Sequence, residues 1–433
     1  MRILISAGEA SGEMYGAQLV EELRSQLSEA RSIESRALQR GNQKAAGDCV
    51  PPAPSLQPPA PSGQHAIVEF FGVGGEKMRT AGCETLIDAK DLAVVGITEI
   101  LSHLPKIWRL FHQLIGEAER RRPDLAIVID SPAFNWRVAR EMKKRNVPVV
   151  YYVCPQFWAW RQGRVKLLRK YVDKALVIFP FEERFYRDRG VNAEFVGHPL
   201  AELSPPAVSR QEYAARFELD PRKHWITIMP GSRRKEVRMN LPGILQAASR
   251  LRGDLEFLLP VAPTLDAGYL TQFLNGAHQL RERVHLLPEA LSALAFSRAG
   301  VIASGTATVE AALMELPFVM VYRVTAMTYL LGRSTVKVPY FAMVNLIAGE
   351  KVVPELVQQD FTADNVAREV TKIIPDGDAR DAMLRGLRTV KALLKGSNHA
   401  SSAPAHAAAV ISSLLRARRA FQESSCQKFA NHP

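Results

Sequence analysis

The sequence predicts an α/β protein of two doubly wound domains facing a cleft. Three observations point there. Short apolar runs without polar alternation recur along the chain, each closed by Gly, Pro or Asp and followed by a helical stretch. Such runs are the mark of parallel strands covered on both faces. The runs fall into two series, separated by Gly197-His198-Pro199-Leu200 and the Pro-rich Ser204-Pro205-Pro206. At 433 residues the chain is also long enough for two self-sufficient cores of ~200 residues.

The first series opens at residues 2–6, where Ile3-Leu4-Ile5 runs into a Gly8 turn. Residues 68–73 carry Phe70-Phe71 and stop at Gly74-Gly75, and 124–129 end at Asp130-Ser131-Pro132. Residues 147–153 are a Val and Tyr run ahead of Pro155, 175–179 halt at Pro180, and 193–196 at Gly197. The second series begins at 225–229, ending in Pro230-Gly231. It continues through 256–261, then 284–287 before Pro288, 300–303 before Ser304-Gly305, and 317–322.

The expected division is an N-terminal domain over 1–198 and a C-terminal domain over 199–397. A final amphipathic helix over 398–421 would pack back on the N-terminal domain, followed by a frayed tail at 422–433. Residues 28–66 break the rhythm. Six prolines stand in 51–61, so the segment is expected to be a disordered surface insertion. No repeat of 20–50 residues is evident, which excludes a solenoid.

Composition is that of an ordinary folded protein, with 47% hydrophobic and 23% charged residues. The net charge of +12 suits a phosphorylated, polyanionic or membrane-surface partner without choosing among them. Four cysteines (Cys49, Cys83, Cys154 and Cys426) form no C-x-x-C pair, which disfavours a disulfide framework or zinc ribbon and suits a reducing cytosol. No apolar run approaches the ~20 residues of a membrane-spanning helix. The start reads as a buried strand and loop, not a signal peptide. A cytoplasmic protein with at most peripheral membrane contact is expected.

Chemistry concentrates where strands end. Gly8-Glu9-Ala10-Ser11-Gly12-Glu13 follows the first strand. Its small residues allow close backbone approach to a ligand, while Glu9 and Glu13 suit sugar hydroxyls better than a pyrophosphate. Ser11 belongs to the same loop, and the alternative is a plain turn with capping acids. Asp130 closes a strand and precedes Ser131-Pro132-Ala133-Phe134-Asn135. Desolvation at a cleft mouth would raise such an acid toward a general base, and the alternative is a helix cap. The stretch Tyr151 to Arg161 holds Trp158 and Trp160, and ten cations against one acid, Glu141, lie between Trp136 and Lys170. That mixture fits a nucleic-acid groove, an anionic lipid surface, or a solvated face over a packed Trp. Residues 94–115 are apolar and bulky, with Pro105 inside, and read as core helices or as an acyl-chain groove.

In the second series, Pro230-Gly231-Ser232-Arg233-Arg234-Lys235 places three cations at a helix start. Backbone N–H groups, the Ser232 hydroxyl and the Arg233 guanidinium together suit a diphosphate. A bound anion would offset cations that oppose the helix dipole. Ser304-Gly305-Thr306, with Glu310 about one turn later, offers phosphate donors and an acceptor for ribose hydroxyls. No His/Cys ligand set is evident, so no metal and no cofactor are expected. Residues 339–355 carry Asn345, Glu350 and Glu355 and are unreadable alone.

Taken in order, Ser6-Ala7-Gly8-Glu9-Ala10-Ser11-Gly12-Glu13, Asp130-Ser131-Pro132-Ala133-Phe134-Asn135, Pro155-Gln156-Phe157-Trp158-Ala159-Trp160-Arg161, Gly197-His198-Pro199-Leu200, Pro230-Gly231-Ser232-Arg233, Ser304 to Glu310 and Asn345-Leu346-Ile347-Ala348-Gly349 resemble the lipid-A-disaccharide synthase family. The resemblance runs from residue 1 to about 360. It implies two Rossmann-like domains of the GT-B type and an inverting, UDP-dependent hexosyltransferase. The implied reaction joins UDP-2,3-diacylglucosamine to 2,3-diacylglucosamine 1-phosphate, giving a β-1,6-linked lipid A disaccharide 1-phosphate and UDP. It further implies a UDP-sugar donor, an acylated glucosamine phosphate acceptor, and a peripheral place on the cytosolic face of the bacterial inner membrane, with no nucleic acid and a homodimer left open.

With the resemblance, the roles become specific. Asp130 is the candidate base for the acceptor hydroxyl. Ser232, Arg233, Ser304, Gly305, Thr306, Glu310 and Asn345 are donor-side candidates. Glu9, Ser11, Glu13, Asn135 and Trp158 are candidates for the acceptor loops. An acyl or membrane role for 94–115 follows from a diacylated acceptor. The competing readings are a UDP-N-acetylglucosamine 2-epimerase-like enzyme and a basic RNA-binding protein.

Overall fold

A computed structural model describes residues 1–45, 68–92, 97–325, 338–396 and 401–430. Its first half contains β1 (Arg2–Ala7), α1 (Ala10–Ala45), β2 (Glu69–Gly74), α2 (Glu76–Thr80), β3 (Cys83–Asp88), α3 (Ala89–Leu92), α4 (Ile97–Arg121), β4 (Leu125–Ile129), α5 (Pro132–Lys144), β5 (Val149–Tyr152), α6 (Val165–Tyr171), β6 (Lys174–Val177), α7 (Pro180–Arg187) and β7 (Ala193–Phe195). The strands form one seven-stranded parallel sheet in the order β3-β2-β1-β4-β5-β6-β7. Ile3, Leu4 and Ile5 of β1 and all five residues of β4 are buried, as expected of strands covered on both faces.

The second half contains α8 (Arg210–Arg216), β8 (His224–Met229), α9 (Arg234–Ala248), β9 (Leu255–Pro260), α10 (Ala267–Asn275), β10 (Val284–Leu287), α11 (Leu291–Phe296), β11 (Ala299–Ala303), α12 (Ala307–Leu313), β12 (Phe318–Tyr322), α13 (Met343–Ala348), β13 (Glu355–Val357), α14 (Ala363–Ile373) and α15 (Asp378–Leu394), and the chain ends in α16 (Ala403–Ala430). Its sheet is parallel with order β10-β9-β8-β11-β12-β13.

The two sheets carry the two series of apolar runs. Two strands escape the sequence pattern, β3 and β13. Both are sheet edges, and β3 (Cys-Glu-Thr-Leu-Ile-Asp) mixes polar and apolar residues because one side meets solvent. The expected insertion also needs correction. Helix α1 continues to Ala45, since 28–45 carries several Ala, Arg, Glu and Gln and holds no proline. The remainder of the segment, 46–66, lies outside the described residues. The expected frayed tail is helical to Ala430, and α4 runs through Pro105 rather than breaking there. The start of the 94–115 stretch, 94–96, is outside the described residues.

Two crossings join the sheets, and they touch. The backbone N–H of His198, on the way out, donates to the carbonyl of Leu394, at the end of α15, at 2.8 Å. His198 is buried beside Phe179 and its Nδ1 accepts the Leu200 N–H at 3.1 Å. Burial pushes its pKa down to about 3, so the ring is neutral. Beyond the return crossing, α16 lies along the first sheet's helices. Gln26 of α1 donates to the Ala405 carbonyl at 3.0 Å, Arg418 to the Asn146 carbonyl at 2.7 Å, and His406 stands 3.4 Å from Glu194.

Candidate functional site

Each sheet reverses its direction of growth once. The first grows outward from β1 to β3, then resumes at β4 on the other side of β1; the second does so between β8 and β11. Open α/β sheets bind ligands in the crevice at such a reversal, beyond the carboxyl ends of the strands. The loops flanking the first crevice are Gly8–Glu13 and Asp130–Asn135, and those flanking the second are Pro230–Arg233 and Ser304–Thr306. Four of the loops singled out in the sequence thus occupy the two reversal points.

In the first crevice the loops touch closely. A Cβ on Gly8 would lie 2.6 Å from the Ser131 Oγ, so a side chain there would displace the Ser131 hydroxyl. Asp130 and Ser131 both adopt left-handed backbone, with φ of 48° and 45°, and Val153, after the adjacent β5, has φ of 56°. Left-handed residues other than glycine cost about 1–3 kcal/mol each and persist only where surroundings enforce them. Asn135 supplies much of that enforcement. It is 0% exposed, and its Nδ2 donates to the carbonyls of Ile129 and Asp130, both at 2.8 Å, and of Ser6 at 3.2 Å. Its Oδ1 accepts the Ser6 hydroxyl at 2.7 Å. All its polar atoms are committed within the protein, and Asn135 holds the loop from beneath.

Asp130 itself is half-buried, and its pKa is pushed up to about 6, chiefly by desolvation and then by the charge of Glu9. Glu9 and Ser11 are exposed on the loop opposite. Glu13 has another task. Its Oε1 accepts the Lys77 N–H at 2.8 Å, capping α2, where a carboxylate complements the positive end of the helix. Trp158 is also turned inward. It is 5% exposed, stands edge-on to Phe181, and donates from Nε1 to Glu182 Oε1 at 2.8 Å. The exposed aromatic of that loop is Trp160, with the Arg161 guanidinium over its ring.

In the second crevice, Ser232 and Arg233 are exposed at the start of α9, and their backbone N–H groups donate to Glu236 Oε2 at 3.0 and 3.2 Å. The Arg233 guanidinium lies 3.3 Å from Glu236 Oε1. Asn240, buried in α9, holds the loop from below, donating to the Pro230 carbonyl and accepting the Arg323 N–H, each at 3.0 Å. Gly305 and Thr306 are exposed, while the Ser304 hydroxyl donates to the Phe341 carbonyl at 2.8 Å. Glu310 is half-buried, its carboxylate has no hydrogen-bond or ion-pair partner among the described residues, and burial raises its pKa. Asn345 is 0% exposed and saturated. Its Oδ1 accepts the N–H groups of Val352 and Val353, and its Nδ2 donates to the Val353 carbonyl and to Glu355. It anchors the loop that follows α13. No three His, Cys, Asp or Glu side chains among the described residues converge as a metal-ligand set.

Tyr15 of α1 lies within electrostatic reach of both crevices. Its ring is buried, and the charges of Asp130 from the first crevice and Glu310 from the second both raise its pKa, after burial. Sequence reading passed over Tyr15, Tyr151, Glu236 and Asn240. Only spacing offered a signal, since Glu236 stands at the third helical position, where capping glutamates reach back to the helix start.

A model of the family described as lipid-A-disaccharide synthetase matches residues 62–410. The chain is 49% identical to the lipid-A-disaccharide synthase of Koribacter versatilis over 416 residues, covering 96% of this chain and 99% of the relative. It is 43% identical to that of Acidobacterium capsulatum over 429 residues, covering 96% and 97%. Among solved structures it is similar to Anabaena HepE in complex with UDP-glucose, with a TM-score of 0.55 at 11% identity, covering 95% of this chain and 99% of that one. It is likewise similar to the UDP-GlcNAc 2-epimerase of Neisseria meningitidis bound to UDP-GlcNAc, with a TM-score of 0.53 at 11% identity, covering 92% and 100%. At these identities the structural likeness, including that to the epimerase, is one of fold alone.

Proposed function

The chain belongs to the lipid-A-disaccharide synthetase family, a family of hexosyltransferases, and we propose from the geometry how it divides the labour. The donor is UDP-2,3-diacylglucosamine and the acceptor 2,3-diacylglucosamine 1-phosphate. The second crevice holds the UDP: the Ser232–Arg233 turn and the Gly305–Thr306 turn donate to its diphosphate, and Glu310 accepts its ribose hydroxyls. Asp130, in the first crevice, takes the proton from the acceptor's 6-hydroxyl. That oxygen attacks the anomeric carbon from the face opposite UDP, the bond from the anomeric carbon to the diphosphate breaks, and UDP leaves with the electron pair. Inversion gives the β-1,6 disaccharide. The Arg233 guanidinium and the positive end of α9 stabilise the charge that grows on the leaving diphosphate.

The observation that carries this reading is the pair of half-buried carboxylates, Asp130 and Glu310, one in each crevice, whose charges both reach Tyr15. Asp130→Asn tests it: turnover should fall by at least about 10³-fold while UDP still binds. Near-normal product formation by that variant sinks the assignment of the base.

The reading extends to the membrane. No described helix is long and apolar enough to cross a bilayer. Leu104 and Trp108 nevertheless stand 48% and 66% exposed on α4, which packs on α5 through Phe111 and Phe134. Of the cations nearby, Lys143, Lys144 and Arg145 are taken up by Asp173, Glu141 and Glu119. Arg140 and the exposed Arg164, Lys166 and Arg169 of the α6 region remain for anionic headgroups. We place the protein peripherally on the cytosolic face of the bacterial inner membrane, with the apolar face of α4 toward the acyl chains.

A further inference from the structure

The carbonyl oxygen of Asp130 has two lone pairs, and both are taken by buried side chains. Asn135 Nδ2 donates to it at 2.8 Å from α5, and Tyr151 Oη donates to it at 2.8 Å from β5. Tyr151 is 0% exposed. Its place follows from register. Val128 of β4 pairs with Tyr151 and Ile129 with Tyr152, so the β5 side chains stand beside the end of β4. The backbone there is the least relaxed part of the first sheet, with Asp130, Ser131 and Val153 all left-handed. A left-handed aspartate followed by a left-handed serine has no intrinsic preference for that shape. It would fall back to extended or helical backbone, swinging the carboxylate away, unless its carbonyl were held.

We propose that Tyr151 is a positioning residue for the reaction: its hydroxyl, paired with the Asn135 amide on the Asp130 carbonyl, locks the left-handed turn that keeps the Asp130 carboxylate in the cleft. This rests on the reading of Asp130 as the base. Tyr151 itself touches no substrate, because its hydroxyl is committed to the backbone and its ring lies in the core. The two buried phenols of β5 differ in this: the Tyr151 hydroxyl has a partner, whereas the Tyr152 hydroxyl has none among the described residues. For Tyr151 the partner is the peptide group of the reactive residue.

Charged and titratable groups around Asp130 come from each neighbouring element: Glu9 in the β1–α1 loop, Tyr15 on α1, Tyr151 on β5, and Glu310 from α12 through Tyr15. If the clamp opens, Asp130 moves toward water, and its ionisation moves toward that of an ordinary aspartate.

The test is Tyr151→Phe, which removes one oxygen. Its kcat should fall about 10- to 100-fold, since a base displaced by about 1 Å costs that much. UDP affinity by calorimetry should stay within about twofold, and the acid limb of the pH–rate profile should move down by about half a unit or more. Tyr151→Met, which fills similar space without a donor, should behave alike and serves if the Phe protein is not folded. A kcat within about twofold of wild type overturns the proposal. So does a loss of kcat that leaves the acid limb in place, the pattern of a general packing role. Asp130→Asn separates the two levels. If it turns over normally, the base assignment fails; if it is inactive while Tyr151→Phe is normal, only the clamp fails.

Discussion

The Glu236 carboxylate accepts the Ser232 backbone N–H at 3.0 Å, so the turn at the start of α9 already holds an anion supplied by its own helix. The contact is tight enough that a Cβ on Gly231 would come 2.5 Å from the same carboxylate. A capping box of this kind satisfies helix donors in the unliganded protein.

If the donor's diphosphate takes those N–H groups, it competes with Glu236. Glu236→Gln should then tighten UDP binding several-fold at low salt, because one negative charge next to the diphosphate is gone; charges about 5 Å apart near a surface are worth a few kcal/mol before screening. Arg233→Ala should act oppositely and weaken UDP about tenfold. Calorimetric titration of both variants reads the pair, and equal UDP affinities for wild type and Arg233→Ala would remove the turn from the donor site.

Asp130 must be ionised to act as a base, so activity should fall as pH drops through about 6, the value to which burial and Glu9 push it. Removing the Glu9 charge removes one of those two causes. Glu9→Gln should therefore shift the acid limb to lower pH, and a shift upward or none at all would show that Glu9 does not act on the base.

Trp158 and Glu182 form a buried hydrogen-bonded pair. Glu182 accepts from Trp158 Nε1 and from the N–H groups of Ile178 and Phe179, yet burial outweighs these donors and pushes its pKa up to about 7. An unfolded glutamate titrates near about 4.3. Between those values the folded state binds the extra proton, so this group's contribution to stability is full below about pH 4.3 and is lost as pH rises through about 7. Trp158→Phe orphans one carboxylate oxygen and should cost about 1–3 kcal/mol in urea denaturation, beyond the lost packing. A variant as stable as wild type would leave Trp158 free for a ligand role after all.

Trp108 gives the membrane reading its most direct handle. Trp108→Asp should reduce co-sedimentation with phosphatidylglycerol vesicles without altering UDP affinity. Undiminished vesicle binding would point away from α4 as the contact face.

How much of this was legible beforehand follows from chemistry. Parallel strands buried on both faces announce themselves as apolar runs, and the turns after them need Gly, Pro and Asp. The central strands and the four crevice loops could therefore be read from the chain. β3 and β13 could not, because polar residues interrupt β3 and β13 is only three residues long.

Residue identity also marked the acids at the crevices, Asp130, Glu9 and Glu310, but not which neighbouring polar groups were still free. Asn135, Asn345 and Trp158 are buried and hydrogen-bonded within the protein. Their hydrogen-bonding atoms are spent within the protein, on Ser6 lying 129 residues away, on Val352 and Val353, and on Glu182. In the sequence by itself, local periodicity and turn chemistry suffice to place eleven of the thirteen described strands and the four crevice loops along the chain. Only tertiary structure decided which side chains face a ligand and which hold the backbone in place, because a polar atom's partner is set by distance in space, and that is created when strands far apart in the chain come to lie side by side.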